Sequence, residues 1–199
     1  MIKDFNYTIK YTKTEEIAVK ECNKIEKIRS RLFCLGLIGA YSNGSSFGSI
    51  SYRYNKNKNS FVITGKDTGE FPKLSANYYS FVKKVDYQKG KMFCLGVNKP
   101  SNEWLIHSYV YKLDMNIKAV IVINNERVWD YMFNNEALRV GFENLDNSEV
   151  LDKLYENVDP FLNNSFFIEG HDFSIVAFGK TLSEAEKSLY NIVKKVLNL

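Results

Sequence analysis

Apolar and polar positions alternate at the start of the chain with the period of a strand. Residues 5–11 carry aromatic or aliphatic side chains at every second position, which indicates a strand with one buried face. From Thr14 onwards the apolar residues recur at helical spacing, up to a stop at residues 36–39. Glu15 and Glu16 fall where the positive end of a helix dipole favours acidic side chains. The pattern therefore predicts a strand and then a long, capped helix.

Two strand pairs follow this helix. Residues 49–55 and 60–64 read as strands on either side of the polar turn NKNKN, and residues 79–97 read as a second pair around a Gln-Lys-Gly turn. Pro100 and Ser101 then mark the start of a second helix.

The rest of the chain predicts three further strands and two helices. Residues 117–123 form a β-branched apolar run typical of a buried strand, and a short helix follows around Trp129. The polar segment 134–148 carries little periodicity. Residues 165–179 predict a hairpin, and residues 181–197 a capped amphipathic helix.

We interpret residues 1–199 as a single α/β domain, because no Pro-rich or Gly-rich linker divides them. The start lacks the apolar stretch of a signal peptide, and no window approaches the roughly 18 apolar residues of a membrane span. Cys22, Cys34 and Cys94 are odd in number and lie in apolar surroundings, which suits reduced thiols in the core. We therefore expect a soluble, cytoplasmic protein with no membrane partner.

The formal charge of +4 is spread over lysines that alternate with acids, without an arginine-rich block. Nucleic-acid binding therefore has no support, and a small anionic metabolite explains the charge equally well.

Two segments carry groups that can bind an anion. In SNGSSFGSISYR, residues 42–53, glycines permit a sharp turn on which amides and serine hydroxyls can converge, although most such loops are only turns. Ser101 and Asn102 are predicted to lie in the first turn of a helix, where free amides favour phosphate or carboxylate. Glu103 follows directly, and complementing the helix dipole is its ordinary role.

The two histidines give no metal motif by themselves. His107 lies one helical turn beyond Glu103, so a structural hydrogen bond is its default role. His171 lies at a hairpin turn, where a solvent-facing side chain is the ordinary alternative. No Cys-x-x-Cys, His-x-His or His-Glu-x-x-His spacing supports zinc.

Taken in order, five segments resemble motifs of the class II aldolase/adducin family, whose zinc-dependent members cleave or rearrange sugar phosphates. SSFGSISYR is similar to the family's Thr-Ser-Gly-Asn-Val-Ser-x-Arg loop, FVIT to its Ile-Thr strand, and KPSNEWLIH to its Pro-Ser-Ser-Glu-x-x-x-His helix start. IKAVIVINN is similar to the Ala-Val-Val-His-Thr-His strand end, and EGHDFSIVAFGKTLSEA to the closing Asn-His-Gly hairpin and its helix. The resemblance spans residues 26–196. It implies a three-layer α/β domain with a mostly antiparallel central sheet and helices on both faces, assembled as a homotetramer with pockets between subunits.

The resemblance also implies that the metal site is degraded. In active relatives the strand end presents a His-x-His pair to zinc, and here those positions hold Val122 and Asn124. A valine has no donor atom, and an asparagine amide is a poor zinc ligand. The third ligand position falls on His171 if the hairpin carries two extra residues, or on Phe173 in an ungapped alignment, and we prefer His171. We therefore expect no cofactor, with zinc present only if the protein is an active member.

The resemblance carries the remaining roles onto six residues. Phosphate binding falls on Ser46, Gly48, Ser49, Ser101 and Asn102, of which Ser49 and Asn102 depart from the family's usual residue. The acid/base carboxylate falls on Glu103.

These expectations combine into a degenerate aldolase, a pseudoenzyme that binds a small phosphorylated sugar-like metabolite but lacks zinc-dependent aldol cleavage. Two alternatives stay open. One is an active aldehyde-lyase-type aldolase, epimerase or dehydratase acting on a sugar phosphate. The other is a structural or scaffolding subunit, the role that adducins have.

Overall fold

A nine-stranded sheet runs through the middle of the molecule, with helices on both of its faces. The computed structural model describes residues 7–14, 19–55, 59–141 and 149–197. The strands are β1 (Thr8–Lys13), β2 (Gly39–Ala40), β3 (Ser46–Phe47), β4 (Ser49–Asn55), β5 (Ser60–Thr64), β6 (Tyr79–Asp86), β7 (Lys91–Gly96), β8 (Ala119–Asn124), β9 (Arg139–Gly141), β10 (Ser165–Glu169) and β11 (Ser174–Gly179). The helices are α1 (Val19–Cys34), α2 (Trp104–Leu113), α3 (Glu126–Asn134), α4 (Glu149–Asn157) and α5 (Leu182–Leu197).

The large sheet is mostly antiparallel. Its strand order is β1-β7-β6-β5-β4-β8-β11-β10-β9. β1 pairs with β7 and β9 pairs with β10 in parallel, whereas the other neighbouring strands of this sheet pair antiparallel. β2 and β3 form a separate two-stranded ladder. Both predicted strand pairs and the closing hairpin are confirmed.

Helices cover both faces of the sheet. On one face α2 and α4 contribute buried side chains such as Val110 and Leu154, and on the other α1, α3 and α5 contribute side chains such as Leu32 and Leu189. Residues 119–123 are buried throughout, which explains their continuous apolar run, since a strand covered on both faces has no solvent side. The predicted three-layer α/β fold class is confirmed.

The described part of the polar segment 134–148 includes a strand that the sequence pattern concealed. β9 lies there, parallel to β10, and three residues are too few to show an alternation. Residues 142–148 lie outside the described part of the chain, as do Phe5, the predicted helix-start acids Glu15 and Glu16, and the centre of the NKNKN turn.

The cysteine interpretation is correct for two of the three residues. Cys22 and Cys94 are buried, but Cys34 is exposed, because it lies in the last turn of α1, off the buried stripe of that helix.

Among the residues that the structure describes, every helix is too short or too polar to span a membrane.

A buried ion cluster on α1 holds the loop between β5 and β6. The fully buried Arg29 donates from Nη2 to the Thr68 carbonyl oxygen at 3.2 Å, and its Nη1 lies 3.9 Å from Oε1 of Glu26. Glu26 accepts the Leu74 amide at 3.1 Å and the Tyr79 hydroxyl at 2.6 Å. Burial lowers the pKa of Arg29, while Glu26 opposes that shift. One helix therefore anchors this loop at two points.

Removing the negative charge of this cluster should destabilise the fold. We expect Glu26→Gln to lower the free energy of unfolding by about 3 kcal/mol, because it leaves a buried guanidinium without its counter-ion. Tyr79→Phe removes one buried hydrogen bond and should cost about 1 kcal/mol. Urea unfolding measures both losses, with Glu70→Gln, an exposed glutamate of the same loop, as the control. Equal losses for the Glu26 and Glu70 variants would contradict this account.

Candidate functional site

Backbone register brings the candidate residues together where three strands meet the start of α2. Ser49 of β4 pairs with Val122 of β8, and Ser174 of β11 pairs with Asn124 of β8. Val122 and Asn124 are two residues apart on one strand, so both side chains point to the same face of the sheet. Val122 belongs to the buried cluster that α2 covers, which identifies that face.

Glu103 is a buried carboxyl directly before α2. It accepts the hydroxyl hydrogen of Ser49, and its own amide donates to Oγ of Ser101 at 3.3 Å. Burial raises the pKa of Glu103 to about 7, the Ser49 hydroxyl and the Gly48 amide oppose that rise, and Asp172 adds to it. A carboxyl with this pKa can take up or release a proton near neutral pH.

A chain of polar side chains continues from Glu103 into the core. Oγ of Ser49 lies 2.7 Å from Nε2 of His107, and Nδ1 of that imidazole lies 2.7 Å from Oγ of Ser51. Oγ of Ser51 lies 2.8 Å from the hydroxyl of Tyr111. Burial lowers the pKa of His107 to about 3, so the imidazole is neutral at physiological pH. We call Glu103, Ser49, His107, Ser51 and Tyr111 the buried chain.

The residues at the first two positions that the resemblance assigns to zinc do not fit a zinc ion. Val122 is fully buried and offers no donor atom. The amide of Asn124 already has other partners: Oδ1 accepts the Gly48 amide at 3.0 Å, while Nδ2 donates to the Asp172 carbonyl at 2.7 Å and to Ser174 Oγ at 3.0 Å. Across the described residues, no group of three or more His, Cys, Asp or Glu side chains could hold a metal ion. Asn124 instead ties the loop before β4 to the β10–β11 hairpin.

His171 and Phe173 take different positions in that hairpin. Nδ1 of the half-buried His171 lies 2.9 Å from Oγ of Ser174, which also accepts from Asn124. Phe173 packs edge-to-face on Trp129, with ring centroids 5.8 Å apart. Through Ser174, His171 is therefore linked by hydrogen bonds to Asn124, and its assignment to the third ligand position stays a prediction.

Four of the five predicted anion-binding residues lie beside Glu103: Ser49, Ser101 and Gly48 by contact, and Asn102 as its neighbour in the chain. They differ in exposure. Gly48 and Ser49 are buried, and Asn102 is exposed. Gly48 has φ of 73°, and a Cβ there would lie 2.9 Å from Cγ1 of Ile38, so glycine is required at this position. The five anion-binding roles remain predictions.

Helix α2 begins later than predicted. Ser101 and Asn102 precede it, because the Trp104 amide donates to the Ser101 carbonyl at 3.1 Å in a turn and Glu103 is the N-cap. The two residues therefore flank the helix N-terminus instead of forming its first turn.

Ser46 is joined to a loop that the sequence did not single out. Its Oγ accepts the Gly69 amide at 2.7 Å. A Cβ on Gly69 would lie 1.8 Å from the Gly39 carbonyl oxygen, so the backbone approaches as closely as only glycine allows. The signal in the sequence is a Thr-Gly pair in a polar loop, which periodicity does not distinguish from an ordinary turn.

Sequence reasoning also missed Ser51 and Tyr111. Their signal is a pair of matching spacings: serines at alternate positions of β4, and the polar residues Glu103, His107 and Tyr111 at every fourth position up to and along α2. Each of these spacings is common by itself. Only the tertiary contact between β4 and α2 shows that the two sets of side chains interact.

Comparison with known proteins rests on structure. No protein-family model and no curated protein sequence matches this chain. YgbL from Escherichia coli, a putative aldolase/epimerase/decarboxylase, has a TM-score of 0.63 at 18% identity, over 89% of this chain and 88% of that chain. An L-fuculose 1-phosphate aldolase has a TM-score of 0.63 at 15% identity, over 90% and 89%. An aldolase II superfamily protein from Pseudomonas syringae has a TM-score of 0.61 at 15% identity, over 92% and 75%. Likeness at such identities establishes the fold alone, and the fold of this chain is that of the class II aldolases.

Proposed function

We propose that the chain is a degenerate aldolase that binds a small phosphorylated sugar-like metabolite and lacks zinc-dependent aldol cleavage. The observation that carries the proposal is the hydrogen bonding of Asn124, whose amide has three partners where an aldolase needs a zinc ligand. Val122 adds no donor, and His171 alone is one imidazole where catalytic zinc needs about three protein ligands. Zinc acts as a Lewis acid worth several kcal/mol, so its loss removes the main electrophile of the reaction.

The binding half of the proposal is supported by the backbone around Glu103. The Gly48 amide is next to this carboxyl but donates to Oδ1 of Asn124, whereas the turn at Ser101 and Asn102 leads directly into the N-terminus of α2. Turn amides and helix N-termini favour anions. A solved structure of this fold is an L-fuculose 1-phosphate aldolase, which its name ties to a phosphorylated sugar. We infer that the five anion-binding residues hold the phosphate and that Glu103 faces the rest of the ligand as an acid/base group.

A homotetramer in the cytoplasm, with pockets between subunits, completes the proposal. Phe161 and Leu162, next to each other between α4 and β10, are 81% and 82% exposed. Apolar side chains of this size are typical anchors of protein interfaces, which supports an oligomer.

An active aldolase, epimerase or dehydratase acting on a sugar phosphate is the second candidate. The observation that favours it is Glu103 itself, because a buried carboxyl whose pKa burial raises to about 7 is suited to proton transfer. In that case Glu103 would be the acid/base group, either by metal-free proton transfer or with zinc as the cofactor.

Phosphorylated sugars should stabilise the protein against heat. We expect L-fuculose 1-phosphate, used as a probe, to raise the melting temperature, because a ligand at 100 times its dissociation constant adds about 2.7 kcal/mol to the free energy of unfolding. Differential scanning fluorimetry measures the shift, and unphosphorylated L-fuculose is the control. Asn102→Ala should reduce the shift, whereas Ser42→Ala, an exposed serine before β3, should preserve it. No response to L-fuculose 1-phosphate or to inorganic phosphate would remove the binding half of the proposal.

Zinc content should be far below one ion per chain. We expect this for protein purified without a histidine tag, because the first two ligand positions offer no free donor, and elemental analysis measures it. Val122→His combined with Asn124→His should increase the zinc content of folded protein, as checked by circular dichroism. Near-stoichiometric zinc in the unaltered protein would overturn the degenerate-site interpretation.

Glu103 should make the fold less stable as pH rises. Burial raises its pKa from 4.5 to about 7, so between these values the unfolded chain releases a proton that the folded chain keeps. The free energy of unfolding should therefore fall by about 3 kcal/mol between pH 5 and pH 8 and then level off. Glu103→Gln should abolish this part of the decrease, whereas Glu156→Gln, an exposed glutamate, should not. Urea unfolding across this range measures the effect, and identical pH profiles for the two variants would contradict it.

A further inference from the structure

The buried chain has a direction, because each of its groups between the ends has one hydrogen to donate. An ionised Glu103 only accepts, so the Ser49 hydroxyl donates to it. Ser49 then accepts Nε2–H of His107, whose Nδ1 accepts from Ser51. Ser51 accepts in turn from the Tyr111 hydroxyl. When Glu103 is ionised, every hydrogen bond of the buried chain is donated towards the carboxylate, and the imidazole carries its proton on Nε2.

A second acceptor at the far end allows the opposite direction. The Tyr111 hydroxyl lies 3.3 Å from the Lys118 carbonyl oxygen. A protonated Glu103 can donate to Ser49, which then donates to Nε2 of the imidazole. Nδ1–H donates to Ser51, Ser51 donates to Tyr111, and Tyr111 donates to the Lys118 carbonyl. Every group of the chain keeps a partner in this direction too.

We propose that His107 is a positioning residue that changes tautomer with the protonation of Glu103, so that the buried carboxyl is hydrogen bonded in both of its states. This inference rests on the acid/base role proposed for Glu103. The protonated state holds one additional proton, on Glu103, taken from solvent or ligand. The imidazole holds one proton in both states, on Nε2 in one and on Nδ1 in the other. Each hydroxyl keeps one hydrogen and reorients.

Because Glu103 is buried, it needs a hydrogen-bond partner in both of its protonation states. An acid/base group has to be stable with and without its proton, and a buried donor or acceptor that loses its partner is costly. A neutral imidazole donates from one nitrogen and accepts at the other in either tautomer. Burial holds the pKa of His107 at about 3, so the ring responds to Glu103 by relocating its proton and not by gaining a second one.

Charged and titratable groups flank both ends of the buried chain. At the Glu103 end, Asp172 of the β10–β11 hairpin raises the pKa of the carboxyl, and Glu103 acts in the same direction on a tyrosine of the loop before β3. At the other end burial raises the pKa of Tyr111, and an arginine of β4 opposes that shift. The flanking groups are Asp172, Tyr41, Arg53 and Tyr52.

Nitrogen NMR of the imidazoles tests the proposal directly, because the protein has only 2 histidines. In protein labelled with ¹⁵N-histidine and free of ligand, a His171→Asn variant assigns the two rings. We expect His107 to carry its proton on Nε2 at pH 8.5 and on Nδ1 at pH 5.5, with a midpoint close to the pKa of Glu103. The same tautomer at both pH values overturns the proposal. Because no ligand is present, this failure is distinct from a failure to bind a sugar phosphate.

Variants identify the titrating group and test the role of Tyr111 at the far end of the buried chain. Glu103→Gln should abolish the change of tautomer, whereas Asp172→Asn should keep it and lower its midpoint. Tyr111→Phe removes the hydroxyl that accepts from Ser51 in the protonated state and leaves that buried hydrogen without an acceptor. The protonated state is therefore disfavoured, and the midpoint should fall by about one pH unit or more. Tyr87→Phe is the matched control, since its hydroxyl donates to the Ser108 carbonyl at 3.0 Å and lies outside the buried chain. Equal midpoints for the two tyrosine variants would contradict the proposed reversal of hydrogen-bond direction along the buried chain. If Tyr111→Phe does not fold, the pH series of the unaltered protein decides.

Discussion

Helix α2 is attached to strand β4 by polar side chains whose spacings on the two elements match. Every second residue of a strand advances by about 6.8 Å, and every fourth residue of a helix by about 6 Å. The strand contributes Ser49, Ser51 and Arg53, and the helix side contributes Glu103, His107 and Tyr111. Arg53 completes the series by donating to the carbonyls of Tyr111 and Asp114, while its guanidinium carbon lies 4.7 Å from the Tyr111 ring centre. This match fixes the carboxyl of Glu103 through protein contacts alone, and the rest of the site is arranged around it.

The side-chain amide of Asn124 joins two segments next to Glu103. Its amide reaches the loop before β4 through Gly48 and the β10–β11 hairpin through Asp172 and Ser174. An asparagine amide both donates and accepts, so one side chain can satisfy backbone groups on two segments. A valine at position 122 fills the neighbouring space as part of the core. Positions 122 and 124 are therefore packed and hydrogen bonded within the protein itself.

The sequence predicted the elements well where one period dominated. The alternating strands, the apolar run of β8 and the amphipathic α5 could all be assigned, because each has a long run with a single period. β9 could not be assigned, because three residues show no period, and its pairing with β10 depends on chain segments that are distant in sequence. Of the candidate site, Glu103 and its neighbours could be located by motif. The partners Ser51 and Tyr111 could not, because their role exists only when strand β4 and helix α2 are in register.

The same geometry limits the chemistry that the proposed pocket can perform. Cleavage of a carbon–carbon bond needs a group that stabilises the negative charge developing on oxygen, and that group is the metal in a zinc aldolase. Two hydrogen-bond donors next to Glu103 already have protein acceptors. The Gly48 amide donates to Asn124, and the Ser49 hydroxyl donates to Glu103. Proton exchange at Glu103 needs no oxyanion-stabilising group, because the buried chain provides hydrogen bonds to the carboxyl. If a phosphorylated ligand binds here, the arrangement therefore favours holding it, and at most exchanging a proton with it, over breaking its carbon skeleton.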